Sequence, residues 1–192
     1  MYRVLLLDDE ENILSALRRS LKEALPALGI QVCLETFNSP ATALQRVSEQ
    51  AFDLAISDYR MPEMNGVEFL KRLRAAQPGT ARIILSGYAD HDALLGAINE
   101  AGIARFLEKP WDSHALAGAV REVLQQRDRA LEIEHLADEM RVQRGTITPQ
   151  DLALKRLEEE SPAITKVNWG PDGSVRLDDL DDFDGFGDFK AE

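Results

Sequence analysis

The sequence predicts an α/β protein, a (βα)5 doubly wound parallel sheet carrying a small C-terminal extension. Three observations predict it. Short apolar runs at 2–7, 30–37, 53–57, 82–86 and 103–107 have the length and bounding residues of buried strands. Apolar residues return at helical spacing after each run. Five strand-then-helix units in succession imply parallel strands with helices on both faces of the sheet.

Element by element, the first strand (YRVLLL) is followed by Ile13, Leu14, Leu17, Leu21 and Leu25 on one helical face. The second leads into Leu44 and Val47, with Ser39-Pro40 reading as N-cap and first helical residue. Val67, Leu70 and Leu73 follow the third strand, and Leu94, Leu95 and Ile98 follow the fourth. Leu116, Val120, Val123 and Leu124 follow the fifth, where Asp112 or Ser113 caps the helix. Right-handed crossovers and a topological switch point place a site at the carboxyl ends of the strands. The strand order 2-1-3-4-5 is carried over from the flavodoxin-like class rather than read from residues.

Beyond residue 127 the pattern changes. A loose apolar repeat through Leu131, Leu136 and Met140 extends the last helix to about Gly145. Arg127 and Glu134 interrupt any strict heptad, so two readings stand: a protruding helix that pairs with a partner, or a solvated one packing back. We therefore divide the chain into a 1–127 domain, a 128–145 linker helix, a 146–177 segment and an acidic tail, 178–192. Thr148-Pro149 opens a short helix over 149–160, which Ser161-Pro162 stops, and 164–169 with 174–177 around Gly170-Pro171-Asp172-Gly173 read as a hairpin. The tail DDLDDFDGFGDF alternates carboxylates with Phe183, Phe186 and Phe189. Such a segment either folds onto a basic, apolar groove of a partner or stays solvated and disordered. It is no calcium loop, since aligning Gly185 with the loop glycine puts Leu180 and Ala191 at ligand positions.

The net charge of −12 is unevenly shared. Residues 1–129 hold 15 Lys+Arg against 18 Asp+Glu, and residues 130–192 hold 7 against 16. An acidic C-terminal third repels phosphate backbones, which argues against a DNA-binding output. No apolar run reaches membrane-span length, and the N-terminus does not read as a signal peptide. One cysteine, Cys33, excludes an internal disulfide framework and fits a reducing compartment, so a cytoplasmic location is expected.

Four strand ends carry polar groups. Asp8 and Asp9 follow the first strand, Asp58 the third, Ser86 ends the fourth and Lys109 follows the fifth. Adjacent first and third strands bring the three carboxylates to one edge, where they repel unless protonated or bound to metal. Hard oxygen ligands in a half-open site select Mg2+, which keeps waters and accepts phosphate oxygens. Lys109 and Ser86 add an ammonium and a hydroxyl for the equatorial oxygens of a transferring phosphoryl group, with Asp58 as nucleophile. Each residue has a plainer role when taken alone. Asp8-Asp9 is a common helix start, Lys109 a surface lysine, Ser86 a strand-end hydroxyl. The agreement of four strand ends favours the site. His91, His114 and His135 show no ligand spacing.

The segments LLLDDE (5–10), DYRMPEMNG (58–66), ILSGYAD (84–90) and FLEKPWD (106–112) resemble the response-regulator receiver family of two-component signalling, over roughly residues 1–127. The resemblance implies that Asp58 is the phosphoacceptor, that Asp8, Asp9 and Asp58 organise Mg2+ and that the Arg60 carbonyl is a further ligand. Lys109 would pair with the phosphoryl group, joined to Pro110 by a cis bond. Ser86 and Phe106 would be the switch pair, and Gly66 would supply the turn after the phosphorylation loop. The implied donor is a histidine kinase or phosphotransfer protein. The implied output is a protein–protein surface on the predicted fourth and fifth helices, through which a homodimer is also expected.

The SGYAD and KPWD variants are most similar to receivers attached to HD-GYP cyclic-di-GMP phosphodiesterases, yet the chain has neither an HD pair nor a GYP motif. No catalytic output is expected beyond the domain's own phosphorylation and dephosphorylation. Arg60 and Tyr88, two residues beyond Asp58 and Ser86, either face solvent or screen the phosphoryl group from water. Three rival readings fit less well. A transcription factor needs a basic recognition helix, and 149–160 offers Lys155 and Arg156 among four acids. An aspartyl-phosphate phosphatase would want Asp-x-Asp after the first strand, and a nucleotide-binding relative a glycine-rich loop after Leu7.

Overall fold

A computed structural model describes residues 1–87, 101–160 and 162. The predicted helix around Leu94, Leu95 and Ile98, Tyr88, His91, the hairpin and the acidic tail lie outside the described residues. Strands β1 (Tyr2–Leu7), β2 (Val32–Phe37), β3 (Leu54–Asp58), β4 (Ala81–Ser86) and β5 (Arg105–Glu108) form one sheet of order β2-β1-β3-β4-β5, every pair parallel. The expected order and handed-down class are those observed. Differences are confined to ends: β2 starts two residues later than the apolar pattern, and β3 extends through Asp58, which is its last residue rather than the residue beyond it.

Alternation along the strands sorts the core into two layers. Val4 and Leu6 of β1, Leu54 and Ile56 of β3, and Ile83 and Leu85 of β4 face one side. There they meet Leu14, Leu17 and Leu21 of α1 (Glu11–Ala24). Leu5, Leu7, Ala55 and Ile84 face the other, against α2 (Pro40–Glu49) and α3 (Gly66–Ala76). The predicted Ser39 cap is present: its hydroxyl accepts from the Ala41 N–H with Pro40 in the first turn. Asn65, not singled out in the sequence, caps α3 by accepting from the Glu68 N–H. Pro26 stops α1 in a short 3-10 turn, Pro26–Leu28.

The last core helix, α4 (Ser113–Gln143), is capped by Asp112, whose carboxylate accepts the Ala115 N–H at 2.8 Å. It crosses the expected 127/128 boundary without a break. Its first half buries Leu116, Val120, Val123 and Leu124 against β4 and α1. Past that point Ile133, Leu136 and Met140 are exposed. Gly145, at φ 71°, turns the chain, and α5 (Pro149–Glu160) folds back antiparallel along α4. Lys155 reaches Glu134 and Asp138 at 2.6 and 2.7 Å, and Arg156 reaches Glu139. In this half α4 is solvated on one side and braced on the other by α5 of its own chain, rather than packed back on the sheet domain.

Candidate functional site

The strand registers align one edge. Leu7 pairs with Ser57, Asp58 with Leu85 and Ser86 with Glu108, so Asp8, Asp58, Ser86 and Lys109 emerge together at the carboxyl end of the sheet. Backbone bonds continue the ladder past the strands: the Asp8 N–H donates to Phe37, Tyr59 to Leu85 and Lys109 to Ser86. The side chains are therefore held by sheet rather than by loop. The Lys109–Pro110 bond is cis, as the resemblance implied.

Asp8 is 1% exposed and Asp58 6%. The Lys109 Nζ lies 2.6 Å from Asp8 Oδ2 and 2.6 Å from Asp58 Oδ1, one ammonium bridging two buried carboxylates. The other oxygens of the pair take backbone donors, Asp8 Oδ1 from the Glu10 N–H and Asp58 Oδ2 from the Arg60 N–H. Burial pushes the Asp58 carboxyl up and Asp8 adds to this, against Lys109 and the Arg60 N–H, with the net direction upward. Burial pulls Lys109 down, but its bonds to Asp58 and Asp8 prevail and raise it. Both directions have one origin. A single positive charge serves two carboxylates in a dry place, so the pocket gains from one more cation.

Ser86 is buried and donates to the Gly87 carbonyl at 3.2 Å. Phe106 is half-buried against the α2–α3 layer. Arg60 is exposed. Asp9, placed with Asp8 in the expected carboxylate trio, is solvent-exposed, and among the described residues no three His, Cys, Asp or Glu gather closely enough to hold a metal ion. Asp8 lies buried in the pocket, while Asp9, at the bend that follows β1, is exposed. Mg2+ is commonly held by one or two carboxylates, water and phosphate oxygens, so Asp8 and Asp58 suit it without a third carboxylate.

Two contributions were not foreseen in the sequence. The Arg60 and Glu10 N–H groups each serve an Asp two residues earlier, a local turn that Asp favours and that both positions advertise. Gly66 is required for a reason other than backbone torsion. A Cβ there would collide with the Asp58 carbonyl oxygen and crowd the Ser57 hydroxyl.

Comparison with known proteins defines the class. Residues 4–121 match the response regulator receiver domain, and the chain belongs to that family. It is 35% identical over 138 residues to the hydrogenase transcriptional regulatory protein HoxA of Cupriavidus necator, covering 72% of this chain and 27% of that protein. The chain thus spans about a quarter of the length of such relatives. The signal receiver domain of an HD domain-containing protein from Pseudomonas fluorescens Pf-5 is similar at TM-score 0.60 and 34% identity, covering 67% of this chain and 98% of that one. A response regulator receiver domain protein from Clostridium thermocellum matches at TM-score 0.60 and 26% identity, covering 68% and 99%. The protein is a receiver of two-component signalling, of flavodoxin-like fold. Among the described residues no helix is long and apolar enough to cross a membrane.

Proposed function

We propose that the chain is a cytoplasmic response regulator whose switch is phosphorylation of Asp58 by a histidine kinase or phosphotransfer protein. The Lys109 ammonium bridging Asp8 and Asp58 carries this reading, because one positive charge between two buried carboxylates suits a pocket that takes a cation and a phosphoryl group. Asp58 attacks phosphorus as the donor's phosphorus–nitrogen bond breaks, and the imidazole leaves with the electron pair. Asp8, Asp58 and the Arg60 carbonyl would hold Mg2+, with Asp9 beside them in the outer solvent layer. When bound, the ion neutralises the carboxylates and the charge of the phosphoryl oxygens. Lys109, freed from Asp58, pairs with a phosphoryl oxygen. The Ser86 hydroxyl turns from the Gly87 carbonyl to another, and Phe106 follows into the space beside it.

The output is a protein–protein contact rather than a reaction, and the receiver's own catalysis is confined to gaining and losing phosphate. DNA reading would fall to α5, where Lys155 and Arg156 are occupied by Glu134, Asp138 and Glu139. Acetyl phosphate with Mg2+ tests the whole proposal. The expected result is a phosphoryl mass gain that Asp58→Asn abolishes. No gain in the unaltered chain overturns the reading, and sustained phosphoester turnover replaces it with a phosphatase.

A further inference from the structure

A cleft of about 350 Å3 opens at the amino edge of the sheet, opposite the Asp58 pocket, between the starts of β4 and β5 and the middle of α4. Its apolar wall comes from Pro78, Ala104, Val123, Ala130 and Leu131. Gly79 and Gly102 leave space where side chains would otherwise project. Arg82 forms its charged wall. Three backbone carbonyls, of Gly102, Thr80 and Pro78, take its Nε and Nη1 hydrogens at 3.1, 2.5 and 3.3 Å. Its Nη2 hydrogens meet no acceptor among the described residues, and no carboxylate pairs with it there. Burial and the nearby Arg74 charge both push Arg82 down from its ordinary value, and nothing acts in the other direction. A half-buried guanidinium that meets no counter-anion among the described residues is poorly placed until a carboxylate reaches it.

The chain itself carries carboxylates within tether length of the cleft. Helix α5 runs back toward the sheet, so that Lys155 meets Glu134, which lines the cleft, and Glu159 lies 3.9 Å from His135. The described end of α5 therefore lies about one turn of α4 from Leu131. Residues 178–192 carry seven Asp or Glu against Lys190, with Phe183, Phe186 and Phe189 set three apart among them.

We propose that the acidic–aromatic tail of this chain docks in its own cleft, phenyl rings against Ala104, Val123 and Leu131 and a carboxylate on Arg82. About 23 residues separate Glu160 from Phe183, a flexible reach on the order of 25 Å, far short of the extended limit. A tether of this length raises the local tail concentration to about millimolar, so a weak contact suffices to close it. The cleft shares neither residue nor edge with the Asp58 pocket, and the proposal stands whether or not Asp58 accepts phosphate.

The test places a nitroxide on Ala191→Cys in a Cys33→Ser background of the full chain and reads amide signal heights. Gly79, Gly102 and Leu131 are expected to lose height by a factor of about five or more relative to the reduced label, as a tethered contact predicts. The loss should disappear in a Phe183→Ser/Phe186→Ser/Phe189→Ser variant and in Ala130→Trp, which fills the cleft from its exposed rim. Unaffected cleft signals overturn the proposal, as does a loss that survives the triple substitution. A loss that fades on dilution assigns the cleft to the tail of a second copy, and one centred on Ile133, Leu136 and Met140 assigns the tail to the exposed stripe of α4; either also overturns it.

Discussion

Gly66 sits against Asp58 so closely that the hydrogen on its α-carbon occupies the space a methyl group would need beside the Asp58 carbonyl oxygen. The two are also tied through Tyr59, whose carbonyl accepts the Gly66 N–H at 2.9 Å. The start of α3 and the end of β3 are thus packed backbone to backbone, directly beneath the site. Gly66→Ala is expected to cost about 1–3 kcal/mol through overpacking. At roughly 2–4 °C per kcal/mol for a domain of this size, thermal unfolding should shift down by several degrees. Phosphoryl acceptance from acetyl phosphate should slow as well, because Asp58 moves with its backbone. An unchanged melting temperature would show that the backbones part at no cost.

Lys109 plays two opposing parts, competing with a cation for Asp8 and Asp58 and facing the phosphoryl group once it arrives. Lys109→Met should separate them. Removing the ammonium leaves two buried like charges, and Mg2+ should raise the melting temperature of the variant at concentrations lower by about tenfold, near 1.4 kcal/mol. Phosphoryl acceptance should fall in the same variant. A magnesium titration indistinguishable from that of the unaltered chain would remove the cation from this pocket.

The brace between α5 and α4 is electrostatic and should be pH-dependent. The Lys155 hydrogen bond, aided by Arg141 and opposed by burial, holds the Asp138 carboxyl below its ordinary value. Bonds to Asp138 and Glu134 hold Lys155 above its own, against burial. A depressed carboxyl contributes stability that is present above its unfolded value and lost as pH falls through the folded one. A raised amine contributes stability that is present below its unfolded value and lost as pH rises through the folded one. Docking of α5 should therefore be flat from about pH 5 to 9 and fail only in acid below about pH 4 or in alkali above about pH 10. Amide exchange of residues 150–158, followed across pH after correction for intrinsic rates, checks this. Loosening centred near neutrality would remove the Asp138–Lys155 pair as the source of the brace.

The two halves of α4 should answer differently to the same chemistry. Leu116 is 1% exposed and Leu136 56%. Leu116→Ala is expected to cost about 2–5 kcal/mol, as truncations in a packed core do. Leu136→Ala should lie within about 0.5 kcal/mol of the unaltered chain. Urea denaturation of both variants measures the contrast, and a large loss at Leu136 would mean that something covers that face in solution.

Much of the architecture was legible because the signals agree at several levels. Strand runs such as VLLL and LAIS are apolar on both faces, as only a doubly covered sheet allows. Ser39-Pro40 and Asp112 announced helix starts that the structure keeps. The site was legible for a related reason: parallel strands deliver their last residues to one edge, so four polar residues at four strand ends become neighbours. Asp8 is buried and Asp9 exposed, a difference in depth that the run DDEE does not announce. Tertiary crowding was also hidden. Nothing in NGVEF reveals that Gly66 lies under the Asp58 carbonyl, since that contact depends on how α3 settles on β3. The back-folding of α5 was beyond reach for the same reason, as it depends on charges twenty residues apart.

Helix α4 is bolted at its midpoint. Tyr2 donates to Asp128 at 2.6 Å, and Arg127 reaches Asp53 at 2.8 Å and the Gly79 carbonyl at 2.9 Å. From these fastenings to Gln143 the helix runs on for about 24 Å, at 1.5 Å per residue. A rigid rod held this way converts a small rocking of its buried end into travel at its tip, about 4 Å for each ten degrees or so of tilt. Whatever displaces the packed first turns of α4 will be read farthest from the phosphorylation edge, where the free end and its braced companion helix sweep through solvent.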